Sequence, residues 1–143
     1  MVQSDVPREE DPQMSEAERP RVLAELGQLL DTGGVPASGV LWKLTEAGRQ
    51  LDANVVRLTA DQHVDQHTEP DLDVLLIVLR GGGELRAADG MQCSLADGMV
   101  LWLPRGSTRS ITAGNDGLSY LTAHVRRPGM QIGLDRARSR DQI

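Results

Sequence analysis

The apolar positions of this chain follow two rhythms. Val22, Leu23, Leu26, Leu29 and Leu30 fall at i, i+1, i+4, i+7 and i+8, one face of a helix. Two starts compete. Ser15 with Glu18 makes a capping-box pattern, whereas Pro20 suits a first turn and fits poorly deeper in. The spacing predicts a helix within 15–34 that starts near Pro20 and is stopped by Gly33 and Gly34. From Gly39 the period becomes that of strands. Runs at 40–44, 51–58, 72–79, 84–88, 91–95, 99–103, 109–113 and 118–125 are short and separated by turn residues. Asp89-Gly90 is a strong hairpin signal, and Asn115, Asp116 and Gly117 make a further turn. Such spacing predicts an all-β antiparallel sandwich or barrel carrying one amino-terminal α-helix.

One run breaks the alternation. Val74, Leu75, Leu76, Ile77, Val78 and Leu79 are all apolar, so both faces of that strand require cover. One face belongs to the interior. The other needs a second sheet, the helix or another subunit.

Composition narrows the class. The 143 residues suit one domain with trimmings. There is no Phe and little other aromatic mass, so the core must be aliphatic, with Trp42 and Trp102 expected inside it. The net charge of -6 argues against a nucleic-acid partner. Cys93 is alone, which excludes an internal disulfide and fits a small core filler in a reducing compartment. The charged start lacks the apolar stretch of a secretory signal, and no apolar run approaches the ~20 residues of a membrane helix. A cytoplasmic protein without membrane contact is the default expectation. Residues 1–14 read as a disordered tail. The barrel is expected over 35–128, and 129–143 as a polar tail continuing an Arg-rich stretch that opens at Arg126 and Arg127.

Two punctuated blocks carry a resemblance. The second runs Gly98, five residues, Pro104, Arg105, Gly106; the first ends at Gly81, and sixteen residues separate Gly81 from Gly98. These frames resemble the two motifs of the cupin superfamily, G-x5-H-x-H-x3,4-E-x6-G and G-x5-P-x-G-x2-H-x3-N, over roughly residues 39–125. The resemblance implies an antiparallel double-stranded β-helix, or jelly-roll, barrel. It also implies a homodimer, since cupins commonly pair through an outer apolar face.

The resemblance further implies a metal held by three His and one Glu, and this chain departs from that set. His67 stands at the first His position, Glu69 at the second, Val74 at the Glu and Arg109 at the third His. Asp61 replaces the leading Gly, and Ala113 the Asn. An arginine is always cationic and has no lone pair to offer. On a strand His67 and Glu69 lie on one face ~6.6 Å apart, close enough to chelate. The polar stretch 61–70 reads as irregular, so Asp71 or Asp73 can join if it bulges, while His63 reads as an exposed loop residue. His124 shares a strand face with Tyr120 and Thr122 and can complete the set. His67, Glu69 and His124 are thus candidate ligands for a divalent transition metal such as Zn, Mn, Fe or Ni. The competing reading has no metal. Arg109 then supplies the positive charge with Glu69 as its partner, and His67, Glu69, Arg109, Tyr120 and His124 bind a small polar or anionic molecule. Three functions follow: a small-molecule binding or sensor module, a metal-dependent cupin enzyme of dioxygenase or isomerase type, or a protein that docks a partner through its amino-terminal tail and helix.

Overall fold

The computed structural model describes residues 18–31 and 38–127. Within them the helix is α1 (Leu26–Leu30), and seven strands follow: β1 (Gly39–Lys43), β2 (Leu51–Leu58), β3 (His63–Thr68), β4 (Val74–Ala87), β5 (Gln92–Ala96), β6 (Val100–Leu103) and β7 (Thr108–Val125). The helix is shorter than its apolar spacing predicts. Residues 21–25 form no regular element, and Glu25 at the N-cap has extended backbone without a side-chain cap. Pro20 therefore does not open a first turn. Val22 and Leu23 stay exposed, and only Leu30 is buried. The expected tails at 1–14 and 129–143 and the Gly33–Gly34 stop lie outside the described residues.

All strand pairs are antiparallel, and β4 and β7 are the spine. Each expected break in these two strands is a bend within one continuous element. Gly81 reads as a terminator, yet β4 passes through it with φ 89° and continues to Ala87. The turn at 115–117 is likewise a bend inside β7. The early half of β4 pairs with β6 and with the late half of β7 (Leu75↔Ala123, Ile77↔Leu121). Its late half pairs with β5 and with the early half of β7 (Gly83↔Ala113, Leu85↔Ile111). Two layers result: β1-β2-β7-β4-β6 on one side and β3-β7-β4-β5 on the other. This is the jelly-roll barrel of the double-stranded β-helix.

Glycine makes the bend possible. A Cβ on Gly81 would sit 2.2 Å from the Gly117 carbonyl oxygen, and one on Gly83 2.2 Å from that of Thr112. Side chains there would push the two central strands apart. The ladder slips at the same place, between Val78 and Arg80 and between Gly81 and Gly83, which adds local twist.

Burial restores the alternation that the composition of β4 hides. Val74, Leu76 and Val78 are buried, while Leu75 is 38% exposed and Ile77 and Leu79 are half-buried. The inward set meets Val56, Leu58, Leu85, Leu95, Leu103, Ile111 and Leu118 in one aliphatic core. Burying one such side chain fully contributes ~1.5–3 kcal/mol, so a core without Phe suffices. Cys93 packs against it. Trp102 corrects the expectation of a core tryptophan: it points outward and is 60% exposed. Trp42 is half-buried and lies in register with Val55. The largest correction is β3. His63–Thr68 was expected to be irregular, yet it pairs with the early half of β7. Its backbone bonds to β7, a hydroxyl bond between Thr68 and Thr108 and the packing of Val64 on the core hold it as a strand, with a slip in register between Val64 and His67.

Gly83→Ala is expected to lower the unfolding free energy by more than ~2 kcal/mol, because relief of the clash needs backbone movement. Urea unfolding measures this, and a loss below ~1 kcal/mol would mean the strands are not in such close contact.

Candidate functional site at the open end of the barrel

Both spine strands fold over at one end, so their four termini gather at the other. Arg109, Ile111 and Ala113 point inward before the β7 bend; Leu118, Tyr120 and Thr122 are buried after it. The bend thereby turns Arg109 and the 120–124 stretch toward one interior from opposite layers.

The two motif blocks are fastened together at this end. In the turn after β6, the Ser107 N–H donates to the Pro104 carbonyl (3.1 Å), and Gly106 adopts φ 85°. The Gly106 N–H donates to the Glu69 carbonyl at 2.7 Å. The Arg105 N–H donates to Asp73 Oδ1 at 2.9 Å, and its exposed guanidinium lies 3.7 Å from Oδ2. Asp73 is thus committed to the turn.

Glu69 is buried, and both its oxygens are engaged. Oε1 accepts from Arg127 Nη2 at 2.6 Å, and Oε2 accepts from the Asp71 N–H at 2.9 Å. Burial alone raises its pKa, but the bonds from Arg127, Asp71 and Leu72 outweigh that and hold it below the usual carboxylate value. Arg109 is 1% exposed, and its Nη1 donates to the Ser107 carbonyl and hydroxyl at 3.3 and 3.0 Å. Burial lowers its affinity for the proton, and the charge of Glu69 partly restores it. It remains a guanidinium. The expected Glu69–Arg109 partnership is therefore one of charge, while the direct ion pair of Glu69 is with Arg127.

Sequence reasoning left Arg127 in a solvated tail. The missing signal is tertiary: nothing local says that the end of β7 returns beside residue 69. Ser107 was missed for a similar reason, since a serine in a turn is unremarkable by itself.

The remaining candidates are close but scattered. His67 is in register with Arg109, hence on the same face, and its Nδ1 lies 3.2 Å from the Asp65 carbonyl. His124 is in register with Asp52 in the other layer, its Nδ1 2.8 Å from the Val125 carbonyl. Thr122 donates to Asn54 Oδ1 at 2.6 Å. His63 is exposed beside Asp65. Tyr120 is fully buried, and its hydroxyl has no hydrogen-bond partner among the described residues. Burial pushes its phenol pKa up.

The expected ligand set is not assembled. Among the described residues no three His, Cys, Asp or Glu side chains are placed to hold a metal ion. The physical reason is local. N–H donors occupy Glu69, and Arg109 puts a fixed cation where the cupin pattern has a histidine. His67, Glu69 and His124 as arranged do not fit a divalent cation.

Known structures agree with this architecture. The chain is similar to a cupin protein from Bacteroides fragilis, with TM-score 0.55 and 20% identity over 77% of this chain and 94% of that one. It is similar to the cupin domain of Cnp3 from Schizosaccharomyces pombe, with TM-score 0.54 and 18% identity over 60% of this chain. It spans 59% of that Cnp3 chain, less than two thirds. A sugar phosphate isomerase of the cupin superfamily from Silicibacter pomeroyi matches at TM-score 0.51 and 20% identity, over 56% of this chain and 53% of that one. No family profile matches the sequence, and no curated protein matches it. The chain has the cupin fold. No helix among the described residues is long and apolar enough to cross a membrane.

The depressed Glu69 pKa gives a signed expectation. Its stabilisation is present above the ordinary carboxylate value of 4.5 and is lost as pH falls through the lower folded value. Glu69→Gln should cost roughly 1 kcal/mol at pH 7, given the partly exposed Arg127. The gap between variant and wild type should shrink as pH drops below about 4.5. Urea unfolding across this range reads it, and a gap independent of pH would remove the ion pair from the account.

Proposed function

We propose that this is a small-molecule binding protein whose barrel mouth uses guanidinium charge where other cupins use a metal ion. The observation that carries the reading is Arg109, a cation 1% exposed on the inward face beside a buried carboxylate. Taking a charge out of water is expensive even when it is hydrogen-bonded. Protein sites accept that expense where a ligand needs a fixed, dry donor fork, and arginine suits carboxylate or phosphate geometry.

Tyr120 supports the same reading. A buried hydroxyl without a partner costs ~1–3 kcal/mol, which phenylalanine would avoid. A ligand with a polar group near that oxygen recovers the difference. The ligand class is therefore a small anionic or polar molecule, with His67 and His124 at the rim and Glu69 orienting the guanidinium pair. The metal-dependent dioxygenase or isomerase reading lacks a donor set among the described residues, so no reaction step is assigned.

Screening small carboxylates and phosphates by thermal shift tests this reading. At least one should stabilise the wild type. Tyr120→Phe should be more stable than wild type without ligand, by up to ~1–3 kcal/mol, and the gain from that ligand should be reduced. Protein purified without a metal-affinity tag should carry well under one transition metal per chain. Close to one metal per chain, lost in His67→Ala, would overturn the proposal.

The same proposal includes a homodimer. On the outer face Leu75 is in register with Trp102, and Ile77 with Val100. Trp102 and Val100 are 60% and 63% exposed, a strip that a second copy would cover. Light scattering coupled to size exclusion should give twice the chain mass, and Trp102→Glu should give the monomer. Wild type running as a monomer at micromolar concentration would dismiss the pairing.

A further inference from the structure

The outer face of the β1-β2-β7-β4-β6 layer carries a row that the barrel mouth does not use. Arg57 on β2, Ser119 on β7 and Arg80 on β4 are consecutive register partners. Adjacent strands lie ~4.8 Å apart, so the two arginine backbones flank the serine at roughly 10 Å from each other. Two long cationic side chains thus flank one small buried hydroxyl, with Arg57 in contact with it. They line an open cleft of about 280 Å³ beside the bend, rimmed by Asn115 and Asp116.

Acceptors from the end of α1 already occupy the row. Arg80 Nη1 donates to Asp31 Oδ1 at 2.8 Å, and Arg57 Nη2 donates to the Leu30 carbonyl. Arg57 Nε donates to Ser119 Oγ at 3.3 Å, which leaves the serine O–H as a donor of its own. The Arg80–Asp31 pair is held loosely. Its side chains are 48% and 71% exposed, and such pairs contribute little and yield to competing ions.

The geometry points to an anion site: this cleft binds a phosphomonoester-type dianion, which displaces the Asp31 carboxylate. A dianion with three acceptor oxygens can take the Arg80 fork from Asp31 and accept from the Ser119 hydroxyl beside the fixed charge of Arg57, whereas the tethered carboxylate reaches Arg80 alone. Asp116 at the rim repels anions and so favours a single phosphate over a longer polyanion. The cleft lies at the bend end of the barrel, so the inference is independent of the mouth.

Backbone amide NMR, titrated with inorganic phosphate and with glycerol phosphate at constant ionic strength, tests it. Shifts should saturate and centre on residues 57, 80 and 117–119. Asp31→Asn should bind about threefold or more tightly, because the internal competitor is gone, and Arg80→Gln about tenfold more weakly. Ser119→Ala, which removes only the hydroxyl, should also weaken binding. Affinity unchanged in Arg80→Gln would overturn the proposal. So would a response without saturation in Asp31→Asn, or binding lost in Arg127→Gln but kept in Arg80→Gln, which would place the anion at the mouth.

Discussion

Everything in this molecule depends on the close pairing of β4 with β7 through their shared bend. The two strands approach so nearly at Gly81 and Gly83 that a methyl group would meet a carbonyl oxygen at 2.2 Å. That contact permits one pair of strands to serve both layers. Because each strand crosses between layers, its ends return to one side of the barrel. Residues far apart in sequence, such as Glu69 and Arg127 or His67 and Arg109, are neighbours for that reason alone. The site follows from the bend, and the bend follows from glycine.

The electrostatics at the open end have a definite order. Glu69 is held ionised by N–H donors that overcome its burial, and its charge in turn eases the burial of Arg109. Arg127 stands on the wet side of this chain of charges, with its side chain 46% exposed, and Arg109 on the dry side. Removing the carboxylate would leave Arg109 with less compensation in a low-dielectric setting, where charge interactions are strongest. The arrangement is therefore a unit rather than three separate residues. The turn at Pro104–Gly106 is anchored by one backbone bond to Glu69 and by the Asp73 carboxylate.

Much of the architecture was legible in the residues. The bounds of β2 follow from its apolar run, and the β4–β5 hairpin from Asp89-Gly90, where Gly90 takes φ 93°. Gly98, Pro104 and Gly106 frame β6 as their spacing implies. What escaped had no local signature. β3 lies at a border and puts a single apolar residue, Val64, against the core, so periodicity had little purchase on it. The helix start failed because an apolar stripe forms a helix only when packing holds it, and Val22 and Leu23 find no surface to cover. Arg109 and Glu69 were identified from motif positions. Their relation to Arg127 depended on the return of a strand end, which single-sequence reasoning does not supply.

The polar border strand has a consequence of its own. β3 pairs only with β7, presents Asp65, Gln66 and Thr68 to solvent, and carries an irregularity between Val64 and His67. An unpaired strand edge invites sheet-to-sheet growth, and charge and kinks discourage it. This margin is therefore a poor template for another chain.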